Sequence, residues 1–198
     1  MVTQLFLKRR FVFVLFSSVV LWLCSMTGYA QSLPFSTDSI PVVGEEVTFT
    51  YRFEADIDKK EYLTRTYFFM DRELNPYKGA FLKNTEDTVV CRVTDYLDIE
   101  SSVLHVFGMY MTYDIAFVYR DASCDLSISN IQFMEKSYFE RQQESPRNLN
   151  LTMFTGKDIL VDRRYTQLFK RGASDKIAAA AVARLNEVVV KLEAYFSE

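Results

Sequence analysis

The chain has 198 residues, of which 49% are hydrophobic and 25% charged, and it carries six glycines and four prolines. That balance excludes a disordered, collagen-like or low-complexity chain. The formal net charge is −3; the first thirty residues hold three bases and no acid, so the remainder is more acidic still, which argues against general polyanion binding.

Residues 1–30 read as a secretory signal peptide. Lys8, Arg9 and Arg10 form the positive start, Phe11 to Leu23 is an almost unbroken apolar run, and Gly28-Tyr29-Ala30 sets small residues for cleavage between Ala30 and Gln31. The run is shorter than the ~20 residues of a comfortable membrane span. An uncleaved, anchoring leader is the alternative, and lipid attachment at Cys24 is disfavoured by the bulky Leu23 before it. Export, to a periplasm, is the expected fate. Residues 31–44, with Pro34, Pro41 and Gly44, read as a linker, and 45–198 as a single domain.

Glu45 to Ala55 alternates, with Val47, Phe49, Tyr51 and Phe53 on one face and Thr48, Thr50 and Arg52 on the other, as in a strand buried on one side. Asp58-Lys59-Lys60-Glu61 has capping-box spacing. The helix it starts presents Tyr62, Leu63, Tyr67, Met70 and Leu74, and Asn75-Pro76 ends it. Residues 77–86 read as a connection.

A second strand runs from Thr88 to Asp98, with Val89, Cys91, Val93 and Leu97 inward and Arg92, Thr94 and Tyr96 outward. The stretch from Val103 to Arg120 is a third, with a bulge or break expected at Gly108. Its later part sets Met109, Met111, Tyr113, Ile115 and Phe117 against Tyr110, Thr112 and Asp114. A turn at residues 120–123 leads to a fourth strand, with Cys124, Leu126 and Ile128 inward and Asp125, Ser127 and Ser129 outward. Residues 135–157 read as a polar surface excursion, and Asp158 to Val161 as a short extra strand. Ser174 is placed to cap a last helix whose stripe runs from Ala178 through Leu185 and Val189 to Phe196; 22 residues at ~1.5 Å each cross a whole sheet.

The order β-α-β-β-β-α predicts a two-layer α+β domain, with an antiparallel sheet of four or five strands and two helices on one face. In that meander a strand separates Cys91 from Cys124. Two strand spacings are ~9.6 Å, beyond the ~7 Å reach of a disulfide, so both cysteines are expected free.

Most catalytic chemistries lack their parts. His105 is the only histidine, set in an apolar strand, and no Gly-x-Ser-x-Gly elbow accompanies it. Cys91 and Cys124 sit on apolar phases. Soft ligands in paired spacing are missing for zinc, and no glycine loop cradles phosphate. No metal or cofactor is expected. Asp95, Asp98 and Glu100 read as a solvated strand end, and the basic-aromatic run at 163–171 as a loop packed on the last helix, not a nucleic-acid contact.

Three stretches resemble a family of exported bacterial domains of unknown function described as having a TATA-binding-protein-like fold. They are Glu45–Phe53, the helix start at Asp58–Tyr62, and Tyr113–Ser127 with its Tyr119-Arg120-Asp121-Ala122-Ser123-Cys124 turn. The last helix fits as well. The resemblance implies a curved antiparallel sheet with helices on one face, and no activity. Likeness to a DNA binder does not confer DNA binding.

These readings converge on a non-enzymatic binding module that meets a periplasmic protein or glycan through the uncovered sheet face. The candidate residues are Arg52, Arg92, Tyr96, Tyr110 and Asp114, because arginine and tyrosine serve most often as polar-capable anchors. The alternative is a carboxylate-dependent hydrolase built on Asp95 and Asp114, with Arg92 as charge partner.

Overall fold

Alternating strands and two amphipathic helices settle into two layers. A computed structural model describes residues 33–74, 81–102, 105–144, 153–165 and 172–197; the leader, its cleavage site and Asn75-Pro76 lie outside them. Pro34–Glu198 forms one compact unit. Its strands are β1 (Val42–Val43), β2 (Glu46–Val47), β3 (Phe49–Glu54), β4 (Phe81–Asn84), β5 (Thr88–Ser102), β6 (His105–Arg120), β7 (Ser123–Glu135) and β8 (Phe154–Thr155). Its helices are α1 (Lys59–Arg72), α2 (Lys136–Glu144) and α3 (Ala173–Ser197), with a π-helical turn at Lys157–Val161.

The main sheet is antiparallel and curved, in the order β3-β7-β6-β5-β4, with β8 also paired to β7. Every inward phase read from the long strands is observed: Phe49, Val89, Val93, Met109, Ile115, Phe117, Leu126 and Ile128 are buried. Both long helices cover that face; α3 packs on β5 and β3, α1 on β6 and β7, and the two helices on each other. Asp58 caps α1 by accepting the Glu61 amide at 2.8 Å. On α3, Ala178, Ala181, Leu185, Val189, Leu192 and Phe196 are all buried.

Several expectations change. The segment read as a linker is docked from Phe35 onward. Phe35 donates its amide to Asn186 Oδ1 (2.8 Å) and accepts from Asn186 Nδ2 (2.9 Å), and its ring packs on Phe49. Within the expected connection 77–86, residues 81–84 are strand β4, held against β5. The polar stretch 135–157 is no plain excursion: β7 continues to Glu135, α2 follows at once, and β8 returns to β7. Residues 158–161 are not a strand. Asp158 accepts from both the amide and the hydroxyl of Thr155, which winds the chain, and Asp162 closes the turn on the Lys157 carbonyl.

Gly108 does not break its strand. β6 runs through it, and the irregularity falls on the partner, between Asp98 and Glu100 of β5. The buried face of α1 is rotated to include Thr66 and Phe69, leaving Leu63 and Tyr67 half-buried. Thr66 tolerates burial because its hydroxyl donates to the Tyr62 carbonyl. Ser174 lies inside α3 and donates to the Tyr165 carbonyl instead of capping.

Candidate functional site

Three side-chain groups stand along the sheet face away from α1 and α3. They follow β6 at Val118, Asp114 and Tyr110; four-residue steps at ~3.3 Å per residue space them by ~13 Å.

The first group is Arg52 with Asp125, directly opposite across β3 and β7. Arg52 donates from Nε (2.6 Å) and Nη2 (3.2 Å), and Arg120 adds Nε at 2.8 Å. Arg52 and then Arg120 draw the Asp125 carboxyl down to about 2. This depressed value sets the sign of the pH effect: the carboxylate is stabilising above its unfolded value of ~3.9, and the contribution fades as pH falls through about 2. An NMR titration should find Asp125 ionised at pH 3 in the native chain. It should return toward ~4 when both arginines are replaced by alanine; no change would remove the paired geometry.

The second group centres on Asp114, opposite Arg92 in the β5–β6 register. Arg92 donates through Nε (2.8 Å) and Nη2 (3.0 Å), and Asn130 Nδ2 donates at 3.0 Å. Burial pushes this carboxyl up, but Arg92 and Asn130 outweigh it and the net shift is downward. Gln132 in turn donates to Asn130 (3.1 Å). The hydroxyls of Thr94 and Thr112 meet at 3.0 Å in the next row.

The third group is aromatic. Tyr96 and Tyr110 pack at 5.1 Å between centroids; Tyr96 stays exposed while Tyr110 is half-buried. Phe139 of α2 stacks on Tyr110 at 3.9 Å, and Lys136 Nζ lies 5.4 Å from the centre of the Tyr96 ring. Met134, in register with Tyr110, is buried beneath the same helix. The structure thus brings Arg92 to Asp114 and Tyr96 to Tyr110, puts Arg52 at the far end, leaves Tyr96 exposed and covers Tyr110 with Phe139.

The carboxylate pair of the hydrolase alternative does not assemble. Asp95 lies on the inward phase and is buried, accepting from Tyr113 Oη (2.9 Å) and Arg184 Nε (2.9 Å). Asp114 stands on the opposite face. The acidic run is not wholly the solvated strand end that its composition predicts: its first member, Asp95, belongs to the interface between α3 and the sheet. Cys91 and Cys124 are free and buried, on strands separated by β6. Burial raises the Cys91 thiol and lifts that of Cys124 to about 12, so neither supplies a thiolate at neutral pH.

Asn130, Gln132 and Arg120 were not foreseen. Asn130 has φ +52° where the β6–β7 register slips between Thr112 and Asp114. An asparagine inside an apolar strand was the available signal, since it is poor in strands yet tolerant of the left-handed region.

Beside this face, where β7 exchanges β3 for β8 as its neighbour, lies a cleft of about 510 Å³. Glu45, Glu46 and Val47 wall one side; Asn130, Ile131 and Gln132 another; the π-helical turn closes the third. Gly156 packs closely there: a Cβ would come within 3.1 Å of Ile131 Cβ and 3.4 Å of Val47 Cβ, so a side chain would press on both. Among the described residues no helix is long and apolar enough to cross a membrane, and no cluster of three His, Cys, Asp or Glu could hold a metal.

No family profile matches the sequence, and no curated protein matches it. Solved structures do. A DUF4468 family protein from Bacteroides ovatus superposes with a TM-score of 0.64 at 15% identity, covering 80% of this chain and 91% of its own. A TBP-like protein from Parabacteroides distasonis superposes with a TM-score of 0.59 at 9% identity, covering 79% of this chain and 96% of its own. At such identities the likeness is one of fold, and the fold of this chain is the TBP-like α+β fold of these bacterial proteins.

Proposed function

We propose that this chain is an exported, non-enzymatic binding module that holds a partner protein against the sheet strip between β3 and the Thr94–Thr112 row. The observation that carries the reading is the uncovered strip itself. Both long helices lie on the other face, and α2 covers only the Tyr110 end. What remains is a floor of short side chains, Thr50, Ser127, Ala116, Thr94 and Thr112, with Arg52 and Arg92 standing above it. Each of those arginines is already engaged by a carboxylate, so a phosphate backbone would have to displace a bidentate partner. A polar protein surface can instead join the pairs at their rims. The leader supports export.

Photo-crosslinking side chains at Thr50, Ser127 and Thr94 should trap one partner in cells, whereas one at Val190, 39% exposed on α3, should not. Asp114 and Asp125 are 16% and 27% exposed and each loses a partner, so Arg52→Ala with Arg92→Ala should cost ~1–3 kcal/mol while leaving the chain folded and removing the crosslink. Undiminished crosslinking in that double variant would refute the reading. The exported protein should begin at Gln31 by mass spectrometry; a chain retaining Lys8 would mean an anchored leader.

A further inference from the structure

The cleft beside β8 has a chemistry of its own. Seven of its twelve lining residues carry a planar carboxylate, amide or guanidinium: two Glu, two Asp, Asn130, Gln132 and Arg164. Planar groups of this kind meet two adjacent hydroxyls with two parallel hydrogen bonds, because their paired atoms match the spacing of a vicinal diol. Val47 and Ile131 supply an apolar floor between them, and Gly156 keeps the backbone close enough to leave room above it.

Charge narrows the choice. Four acids line the cleft against two bases, and both bases are occupied. Lys157 faces Glu45 at 3.7 Å, and Arg164 bridges Asp158 (3.1 Å) and Asp162 (2.9 Å). A phosphate or an acidic sugar would have to compete with Glu45, Asp158 and Asp162 for the two bases, and Glu46, exposed at the rim, adds further negative charge. The volume falls in the range of ~300–1,000 Å³ usual for small-ligand sites.

We infer that this cleft binds a saccharide free of acidic groups, through paired contacts from the carboxylate and amide side chains to neighbouring hydroxyls. The cleft adjoins the Arg52–Arg92 strip through Asn130, which also donates to Asp114, so the two sites are told apart by which backbone amides a ligand moves.

The test is NMR titration of the purified protein with cellobiose and with N,N′-diacetylchitobiose, using digalacturonate as the acidic comparison. At least one neutral disaccharide should bind saturably in the millimolar range, moving the amides of Ile131, Gly156 and Asp158 and leaving those of Thr50 and Arg92 still. Arg164→Met, which removes the bridge between Asp158 and Asp162, and Gln132→Leu should each weaken binding by about five-fold or more, a loss of ~1 kcal/mol. Digalacturonate should not bind. Shift mapping on the unaltered chain keeps the test decisive if either variant misfolds. Absence of shifts with both neutral sugars at about 20 mM, well above a millimolar Kd, would overturn the inference. So would shifts confined to the sheet strip, or equal binding of digalacturonate.

Discussion

Replacing Arg184 by leucine should lower the unfolding free energy by ~3–5 kcal/mol, the usual result of removing one partner from a buried ion pair. The guanidinium reaches from α3 to Asp95 on β5, with Nε at 2.9 Å and Nη2 at 3.4 Å, and its Nη1 also meets Glu187 at 2.9 Å. Only 9% of the Asp95 side chain is exposed, against 19% for Arg184. Without the arginine, Asp95 keeps Tyr113 Oη as its remaining described partner, inside a layer of apolar side chains. The cost comes from the stranded charge rather than from the worth of the pair. Asp95→Leu added to Arg184→Leu should therefore recover part of the loss, the remainder, ~1–3 kcal/mol, coming from the buried Tyr113 hydroxyl that loses its acceptor. Urea unfolding of both variants checks this, and a single variant as stable as the parent would show that the pair is solvated.

Gly108→Ala should cost ~1–3 kcal/mol through overpacking. A methyl group there overlaps the phenol end of Tyr96 and comes within 2.8 Å of the Leu97 carbonyl. The side chain can swing away; the carbonyl belongs to the ladder between β5 and β6 and cannot. Tyr96→Ala should therefore relieve part of the cost and leave the rest, with a coupling of ~0.5 kcal/mol or more in a double-mutant cycle. A neutral Gly108→Ala would remove the close approach as the reason for this glycine.

The contrast between these two positions shows what the sequence could convey. Period-two alternation from Val89 to Leu97 and from Met109 to Tyr119 assigned the faces of the long strands, and the stripe on α3 assigned its buried side, because both patterns are local. Asp95 shares the inward phase of Val93 and Leu97, yet its company in an acidic run suggested water; its partner lies 89 residues further on. Gly108 signalled an irregularity, and the irregularity fell on the opposite strand, which no single-strand pattern can reveal. Helix α2 starts directly from β7 with no turn residue between and has a polar composition, so nothing announced that Phe139 would settle on Tyr110. The site was legible to the same degree: the cross-strand pairs of Arg52 and Arg92 follow from strand phase, whereas the cleft depends on Glu45 and Gly156, which meet only through the tertiary fold.

The clamp between Asn186 and Phe35 joins positions 151 residues apart, and that separation orders events in time. The β5-β6-β7 meander closes through neighbouring segments, so its contacts are among the first that a folding chain can make, whereas pairings distant in sequence come late and slow the process. β3 must wait for β7, and Phe35 must wait for nearly all of α3. A chain being synthesised from its first residue therefore carries β3 unpaired until β7 has been made, and Phe35 without its clamp until residue 186 has been made. The same latch, tied by two hydrogen bonds and one ring contact at the margin of the core, is the natural first step when the protein comes apart.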